Sequence, residues 1–287
     1  MHTFAADVAG DGEPVEIVCG APNVRAGLKT ALATPGTRLP NGMKLRRSKI
    51  RGVVSNGMLC SAAELDLGSE SDGIMELPDD APVGETLSRY INLPDSVIDV
   101  DITPNRGDCF SVLGIARDVS ALTGQPLKNP EMRVIPAATD TVQAVDRPVA
   151  EACPRFAHRV VEGIDSSARS PVWMTERLRK SGLRAIHPVV DVTNYVMLEL
   201  GQPLHAYDRD HVTGTVRPRY ANAGEKVTLL DGRDVELDDE TVVITDDSGV
   251  IGMAGIMGGL STMVTESTAN VLFEAAFWPP EVMAGRA

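Results

Sequence analysis

An apolar run with polar residues at both ends, over 189–208, most constrains how this chain folds. It reads Val-Val-Asp-Val-Thr-Asn-Tyr-Val-Met-Leu-Glu-Leu-Gly-Gln-Pro-Leu-His-Ala-Tyr-Asp. A polar group at the end of a buried run is costly unless it finds a hydrogen-bond partner or a ligand. One interpretation is a helix with Thr193 or Asn194 as its N-cap and Gly201 as its stop. A functional site that includes His205 is the other, and the residues alone leave both open.

This string resembles the bacterial phenylalanyl-tRNA synthetase β subunit, in the part that proofreads mischarged tRNA. The likeness continues in the family's order through further segments: 15–61, 103–118, 153–160, 249–259 and 271–277. The resemblance implies an α+β chain with a small incomplete OB-type β-barrel, a short strand–helix segment and a mixed α+β editing domain. It also implies that the chain starts inside the barrel and stops within the editing domain, so we expect both domains to be truncated.

Three regions are predicted along the chain. Short strands at 15–19 and 28–33 suggest a small barrel, and the resemblance implies that residues 1–95 are a partial OB-fold tRNA-binding domain. Residues 96–150 contain a strand–helix segment and then a proline-rich linker. The resemblance implies that residues 151–287 are a B3/B4-type editing domain.

Alternation and helical spacing predict the remaining elements. These are strands at 98–102, 156–161, 241–245 and 271–277, helices at 109–123 and 171–180, and a hairpin at 227–235. Asp108 and Ser170 are the predicted N-caps of the two helices, and Gly124 ends the first. The Asp-Gly pair at 231–232 is the predicted turn of the hairpin.

The charge limits which partners this chain can bind. A net charge of −13 argues against broad, sequence-independent binding of nucleic acid, because such binding neutralises phosphates. It allows contact with RNA over a small patch, and two basic clusters stand out, at 44–51 and 177–184. A charge cluster is usually a solvated face, which is the default interpretation for the first. We expect no DNA partner.

The cysteines and the termini give further expectations. The four cysteines are far apart and form no CxxC pair, so we expect free buried thiols in a reducing compartment and no zinc site. With no signal peptide or membrane-length apolar run in evidence, the chain is predicted to be cytoplasmic. No metal-ligand cluster, Ser-His-Asp arrangement or nucleophile elbow is evident, so hydrolysis would need a positioned water and no covalent intermediate.

The histidine of the opening string has two interpretations. His205 could be a structural residue that bonds a backbone carbonyl. The resemblance implies instead that it lies in the editing pocket, beside the ester of the misacylated tRNA, and positions the terminal ribose or the attacking water. Thr193 and Asn194 would belong to the same catalytic group, and a general-base role for His205 stays open.

A carboxylate interrupts the apolar strand at 271–277. Glu274 lies either on a wet face or in a buried polar place, and the strand pattern does not decide between them. The resemblance implies that Glu274 accepts a hydrogen bond from the phenol of the mischarged tyrosine. We predict that His205, Asn194, Gly255 and Glu274 converge on one pocket.

The glycine-rich segment 249–259 and one arginine complete the candidate site. A tight, closely packed turn is one interpretation of the glycines. The resemblance implies that Ala254, Gly255 and Gly258 leave room for the aminoacyl group against the backbone. It also implies that Arg184, in the second basic cluster, meets the tRNA 3′ end or its phosphate.

The resemblance thus implies a part of the phenylalanine-tRNA ligase β subunit that binds the 3′ end of tRNA(Phe) and hydrolyses misacylated Tyr-tRNA(Phe). It implies no aminoacylation by this chain alone, no cofactor for editing, and ATP and magnesium only for the complete synthetase. The implied protein partner is the synthetase α subunit in an α2β2 assembly. Two alternatives remain: a non-catalytic RNA-binding or scaffold module, and an unrelated hydrolase using His205 and Glu274.

Overall fold

A computed structural model of the chain describes residues 2–8, 13–69 and 71–286. These residues divide into two units. The first contains the described residues up to Val97 together with Pro171–Trp173, and the second contains Ile98–Ser170 and the described residues from Met174 onward. Helices and antiparallel strands occur together, which confirms the predicted α+β class.

The first unit is built from short strands and one short helix. The strands are β1 (His2–Ala6), β2 (Val15–Cys19), β3 (Lys29–Thr30), β4 (Leu32–Ala33), β5 (Ser48–Ile50), β6 (Val53–Ser55), β7 (Met58–Leu59) and β8 (Glu76–Leu77), and the helix is α1 (Leu87–Tyr90). They pair as four two-stranded sheets, β1–β2, β3–β8, β4–β7 and β5–β6. No closed barrel forms among the described residues.

One predicted strand of this unit is confirmed and another is divided. The strand at 15–19 is β2. The single strand predicted at 28–33 is wrong, because the chain changes partner within it: β3 pairs with β8, whereas β4 pairs with β7. Ala31 lies at the change, where its carbonyl accepts a hydrogen bond from the Cys60 amide at 3.0 Å. A buried cluster around Ala31, Leu39 and Cys60 forms the core of the unit.

The remaining chain contains nine strands and four α-helices among its described residues. The helices are α2 (Val112–Thr123), α3 (Val172–Lys180), α4 (Pro188–Leu200) and α5 (Pro280–Met283). The strands are β9 (Arg155–Val161), β10 (His205–Asp208), β11 (Arg217–Tyr220), β12 (Lys226–Thr228), β13 (Asp234–Glu236), β14 (Val242–Asp246), β15 (Gly249–Met253), β16 (Met257–Gly258) and β17 (Val271–Phe277). The predicted hairpin at 227–235 and the strands at 156–161, 241–245 and 271–277 are confirmed, with small shifts of their ends.

Two antiparallel sheets organise the second unit. One has the order β10–β17–β9 and the other β11–β14–β15–β16, while β12–β13 is a separate hairpin. Tyr207 of β10 and Leu272 of β17 enter a core that also contains Ile244. Because side chains alternate along a strand, His205 and Glu274 lie on the same face of the first sheet as Tyr207 and Leu272.

The strand predicted at 98–102 is wrong. The segment has no regular secondary structure, and Ile98 is 82% exposed. The alternation of apolar residues there is real, but a strand also requires a partner for its backbone groups, and no described strand pairs with this segment.

The predicted N-cap of α2 is also wrong. The helix begins at Val112, and the side chain of Ser111 caps it by accepting a hydrogen bond from the Gly114 amide at 3.0 Å. Asp108 is bonded instead to the Arg106 guanidinium, at 3.0 Å. The predicted stop is confirmed, since Gly124 adopts a left-handed conformation with φ of 70°.

The helix in the opening string begins earlier than Thr193 and Asn194 would require as caps. Its N-cap is His187, whose side chain accepts from the Val189 amide at 3.3 Å. Both predicted caps therefore lie inside α4, while the Gly201 stop is confirmed with φ of 77°. The helix predicted at 171–180 begins at Val172.

Three further features bear on the sequence predictions. All four cysteines are free and buried, as expected. No helix in the described part of the chain is long and apolar enough to cross a membrane. A cavity of about 890 Å³ lies in the first unit, and none of the predicted site residues lines it.

Candidate functional site

The centre of the candidate site is a pair of residues opposite each other on adjacent strands. The antiparallel register of β10 and β17 pairs His205 with Glu274. On its other side, Glu274 pairs with His158 of β9. Two residues separated by 69 positions in sequence are thus cross-strand neighbours on one face of a sheet, with side chains close enough to interact.

Glu274 is buried, and its carboxylate has a partner within the protein. The exposed fraction of Glu274 is 7%, and Tyr207, with 1% exposed, donates its phenol hydrogen to Oε2. Burial raises the pKa of Glu274 to about 7, although the hydrogen bond from Tyr207 opposes this shift. Burial, and then the charge of Glu274, raise the pKa of the nearby Cys153 thiol to about 11. The wet-face interpretation of Glu274 is therefore wrong.

His205 is fixed between a ring and a glycine. Its imidazole meets the Tyr207 ring nearly at a right angle, with centroids 4.4 Å apart. A Cβ added to Gly258 would lie 2.3 Å from His205 Cε1, so only glycine fits there with the ring in this position. Burial lowers the pKa of His205 to about 4, which leaves a neutral imidazole at physiological pH. A neutral imidazole can accept a hydrogen bond from water or a ribose hydroxyl at one nitrogen and donate at the other.

The other predicted residues of the glycine segment fall in different places. β15 and β16 form a hairpin, and Gly255 lies exposed in its turn with φ of 64°, against Trp278. Ala254 is buried in the same core cluster as Tyr207. Gly258 lies against the His205 ring. The room that Ala254, Gly255 and Gly258 would leave for the aminoacyl group stays a prediction.

Three predicted residues lie on or before the helix α4. This helix packs against β10, the strand of His205. Thr193 is buried and donates its hydroxyl to the Val190 carbonyl at 2.7 Å, Asn194 is half-buried, and Arg184 is exposed between α3 and α4. The convergence of Asn194 and Gly255 with His205 and Glu274 on one pocket stays a prediction.

Two acidic residues of the opening string have structural partners. Asp191 accepts from the Ser170 hydroxyl at 2.5 Å and from the Ile186 amide at 2.8 Å. Asp208 accepts from the Thr268 hydroxyl at 2.6 Å. Both are nearly fully buried, and these bonds compensate for their desolvation. The Ser170 hydroxyl donates to Asp191, and its predicted role as the cap of α3 stays a prediction.

Sequence reasoning missed Tyr207 and His158. Tyr207 contacts both central residues, and the only local signal for it is its position two residues after His205, on the same face of a strand. His158 had no local signal, because its relation to Glu274 depends on the pairing of β9 with β17.

A second polar cluster joins the turn before α2 to the helix itself. Ligand-type atoms of Asp108, Cys109 and Asp118 lie within 4.8 Å of one another. The Arg106 guanidinium lies among them, 3.0 Å from Asp108 and 2.8 Å from Asp118. It holds the pKa of both carboxyls below their usual range. A fixed cation already occupies the centre, so we interpret the cluster as an ion-pair network that closes the turn, and not as a metal site.

Two family models match the chain. Residues 152–287 match the B3/4 domain, and residues 5–86 match the putative tRNA binding domain. Phenylalanine–tRNA ligase β subunits are similar over nearly the whole chain: that of Idiomarina loihiensis is 50% identical over 97% of this chain, and that of Pseudomonas fluorescens is 50% identical over 98%. The chain belongs to the phenylalanine–tRNA ligase β-subunit family. It spans about 35% of the length of these two relatives.

Solved structures are also similar to the chain, among them the crystal structure of an N-terminal fragment of the phenylalanyl-tRNA synthetase β subunit from Pyrococcus horikoshii. The match has a TM-score of 0.37 and 17% identity, and it covers 68% of this chain and 67% of that one.

His205 and Glu274 contribute to stability with opposite dependence on pH. The pKa of folded His205 is below its ordinary 6.5, so the unfolded chain binds a proton that the folded chain does not, and this stability is lost as the pH falls from 6.5 toward 4. The pKa of folded Glu274 is above its ordinary 4.5, so the folded chain keeps a proton that the unfolded chain loses. That contribution is lost as the pH rises from 4.5 toward 7.

Substitution of either residue should therefore leave only the pH dependence of stability that comes from the other. We expect the free energy of unfolding of Glu274→Gln to rise by about 2 kcal/mol, relative to the parent chain, between about pH 4.5 and pH 6.5. For His205→Gln we expect a fall of about the same size. Chemical denaturation at a series of pH values measures both, with Glu266→Gln, an exposed carboxyl, as the control. Parallel pH profiles for the two site variants would contradict the assignment.

Proposed function

We propose that the second unit hydrolyses the tyrosyl ester of misacylated Tyr-tRNA(Phe), and that this chain does not ligate amino acids by itself. The observation that carries the proposal is the pairing of His205 with Glu274 on adjacent strands, next to the bare backbone of Gly258. A group that can bind water and a group that can bind a phenol lie on one face, and Gly258 leaves the space that the imidazole occupies.

Glu274 supplies the selectivity. A site shaped for phenylalanine cannot strongly reject a side chain that merely adds a hydroxyl, whereas a site that bonds this hydroxyl can reject the side chain that lacks it. A phenylalanyl ester would leave a buried carboxylate without the second partner that tyrosine provides, which costs free energy. A hydrolytic site that bonds the hydroxyl therefore separates tyrosine from phenylalanine more strongly than the site that selects the amino acid for charging.

His205 supplies the orientation of the reacting groups. Its neutral imidazole, held by Tyr207 and Gly258, would position the terminal ribose or the attacking water. Thr193, Asn194, Ala254 and Gly255 would complete the pocket. With water as the nucleophile, the reaction exchanges the ester for a free carboxylate and a ribose hydroxyl and needs no covalent intermediate.

We further propose how the chain is divided into domains and which partners the complete ligase has. The small sheets of the first unit would belong to an OB-type barrel, within a division at 1–95, 96–150 and 151–287. The first region would bind tRNA, and the complete ligase would use ATP and magnesium, pair with an α subunit in an α2β2 assembly and work in the cytoplasm. The family membership of the chain supports each of these expectations.

The purified chain and a tRNA(Phe) charged with tyrosine provide the test. We expect release of tyrosine faster than the spontaneous rate, and little release of phenylalanine from the correctly charged tRNA. ATP-dependent charging by the isolated chain, or hydrolysis of simple esters with no preference for tRNA, would overturn the proposal.

Binding of tRNA by this chain should be weak and should depend little on salt. The chain is strongly acidic, and the basic cluster proposed to touch RNA is small: Arg177, Arg179 and Lys180 end α3, and Arg184 follows it. With two or three phosphates neutralised, the slope of log K against log salt should be about −2. Filter binding across a salt series measures it.

Two exposed arginines provide matched variants for this measurement. Arg184→Ala should reduce the salt slope by about 1. Arg133→Ala, which lies outside the tRNA-binding match and outside both basic clusters, should leave it unchanged. Tight binding with a steep slope would favour a second function, a non-catalytic RNA-binding module. The match of residues 5–86 to the tRNA-binding family is the observation in favour of that alternative.

A further inference from the structure

Tyr207 is the residue that contacts both members of the proposed catalytic pair. Its phenol donates to Glu274 Oε2, and its ring meets the His205 imidazole at 81°. It is 1% exposed, at the third position of β10, and packs in the core of the unit. A tyrosine this deeply buried has few rotamers available, so it can hold two neighbours in place.

We propose that Tyr207 is a positioning residue for tyrosine selection. Its phenol fixes Oε2 of Glu274 and so leaves Oε1 as the acceptor for the substrate phenol, while its ring keeps His205 against Gly258. This inference rests on the proposed function, because it assigns Glu274 the task of recognising a tyrosyl group. It goes further by naming the residue that determines which carboxylate oxygen faces the substrate.

The hydrogen bonds around Glu274 support this division between its two oxygens. Within residues 2–8, 13–69 and 71–286, the hydrogen bond to the Glu274 side chain reaches Oε2, and none reaches Oε1. A carboxylate oxygen accepts more than one hydrogen bond, so Oε1 has capacity for a ligand that brings a donor. The phenol of a tyrosyl group brings that donor, and the ring of a phenylalanyl group does not.

The hydrogen bond from Tyr207 also favours the charged form of Glu274. The titratable side chains that face Glu274 are Tyr207 and His205 of β10, His158 of β9 and the Cys153 thiol before β9. Of these, Tyr207 is the one that donates a hydrogen bond to the carboxylate. Loss of the phenol hydroxyl should therefore raise the pKa of Glu274 above the value of about 7 that it has with this bond.

Titration of Glu274 tests the positioning bond without any editing assay. In the full chain with ¹³C-labelled glutamate carboxyls, Glu274→Gln identifies the resonance. Tyr207→Phe should move its midpoint upward, whereas Tyr220→Phe, which removes the same hydroxyl from a half-buried tyrosine at the same core, should not. An unchanged midpoint in Tyr207→Phe would overturn the proposal.

A chemical substitution keeps this test decisive if Tyr207→Phe fails to fold. Replacement of the four tyrosines by 3-fluorotyrosine makes the phenols stronger donors. It should move the Glu274 midpoint downward, and an unchanged midpoint counts against the bond.

Editing kinetics then test the selectivity. In Tyr207→Phe we expect the ratio of kcat/KM for tyrosyl over phenylalanyl esters to fall about tenfold and its pH profile to follow the Glu274 midpoint. An unchanged ratio would overturn the selective role even if the midpoint moves. If the parent chain hydrolyses neither ester, the proposed function fails, and the titration alone still decides whether Tyr207 holds Glu274.

Discussion

Glu274→Gln is expected to remove most of the preference for a tyrosyl over a phenylalanyl ester, lowering the ratio of kcat/KM by about 100-fold. The glutamine keeps the shape of the side chain and an oxygen for the Tyr207 phenol, so the fold should persist. It removes the charge that makes the acceptor strong. Rates of amino-acid release from both charged tRNAs measure the ratio, best at about pH 8, where a carboxyl with a pKa of about 7 is mostly ionised.

Two comparisons make this result specific. Glu266→Gln makes the same chemical change at an exposed turn just before β17 and should leave the ratio unchanged. The rate for the phenylalanyl ester should not fall in Glu274→Gln, because that ester has no hydroxyl to bond and no longer leaves a charged group without a second partner. Equal losses for both esters would mean that Glu274 supports the fold or the chemistry and does not select the side chain.

Gly258→Ala is expected to slow the hydrolysis of both esters by about 100-fold without changing their ratio. The new Cβ would lie 2.3 Å from Cε1 and 2.5 Å from Nε2 of His205, so the imidazole must leave its position. Displacement of a positioning group by about 1 Å is enough for such a loss. Single-turnover rates with saturating chain isolate this step from binding.

The expected cost to stability of this variant is about 1–3 kcal/mol, which thermal unfolding would detect. Gly107→Ala is the matched control, since an added Cβ there meets no atom within 4 Å. If Gly258→Ala hydrolyses the tyrosyl ester at the parent rate, the fixed position of His205 is unnecessary and the role assigned to it is wrong.

Elements whose signals are local were predictable from the sequence. The Asp-Gly turn produced the β12–β13 hairpin, Gly124 and Gly201 ended their helices, and the apolar run of β17 was placed with its observed ends. In each case the residues that determine the conformation lie within a few positions of one another. Neighbours in space can then do little to change the outcome.

Predictions failed where a local signal competed with a partner elsewhere. Asp108 is a good cap by type, but Arg106, two residues before it, binds its carboxylate, and Ser111 caps the helix instead. The alternating residues at 98–102 lack a paired strand. The strand at 28–33 has two successive partners, because β7 and β8 approach it at different points.

In the candidate site, too, the local signals were predictable and the contacts between distant residues were not. Residue types identified His205 and Glu274 as unusual, but their proximity depends on the register of β10 against β17. The partner of Glu274 lies 67 positions away in sequence, at Tyr207. No periodicity within either strand indicates that bond, since it arises only when the two strands pair.

The order β10–β17–β9 gives the two halves of the site different mechanical support. Glu274 lies on the central strand, whose backbone is hydrogen-bonded on both sides, whereas His205 begins a four-residue strand at the edge. Edge strands open more readily than central ones, and their amides exchange with solvent sooner. Brief fraying of β10 would admit water and release product while the acceptor for the tyrosine hydroxyl stays in place. The part of the site that recognises tyrosine would then be more rigid than the part that positions water. Fraying of β10 would limit the rate of proofreading without reducing its accuracy.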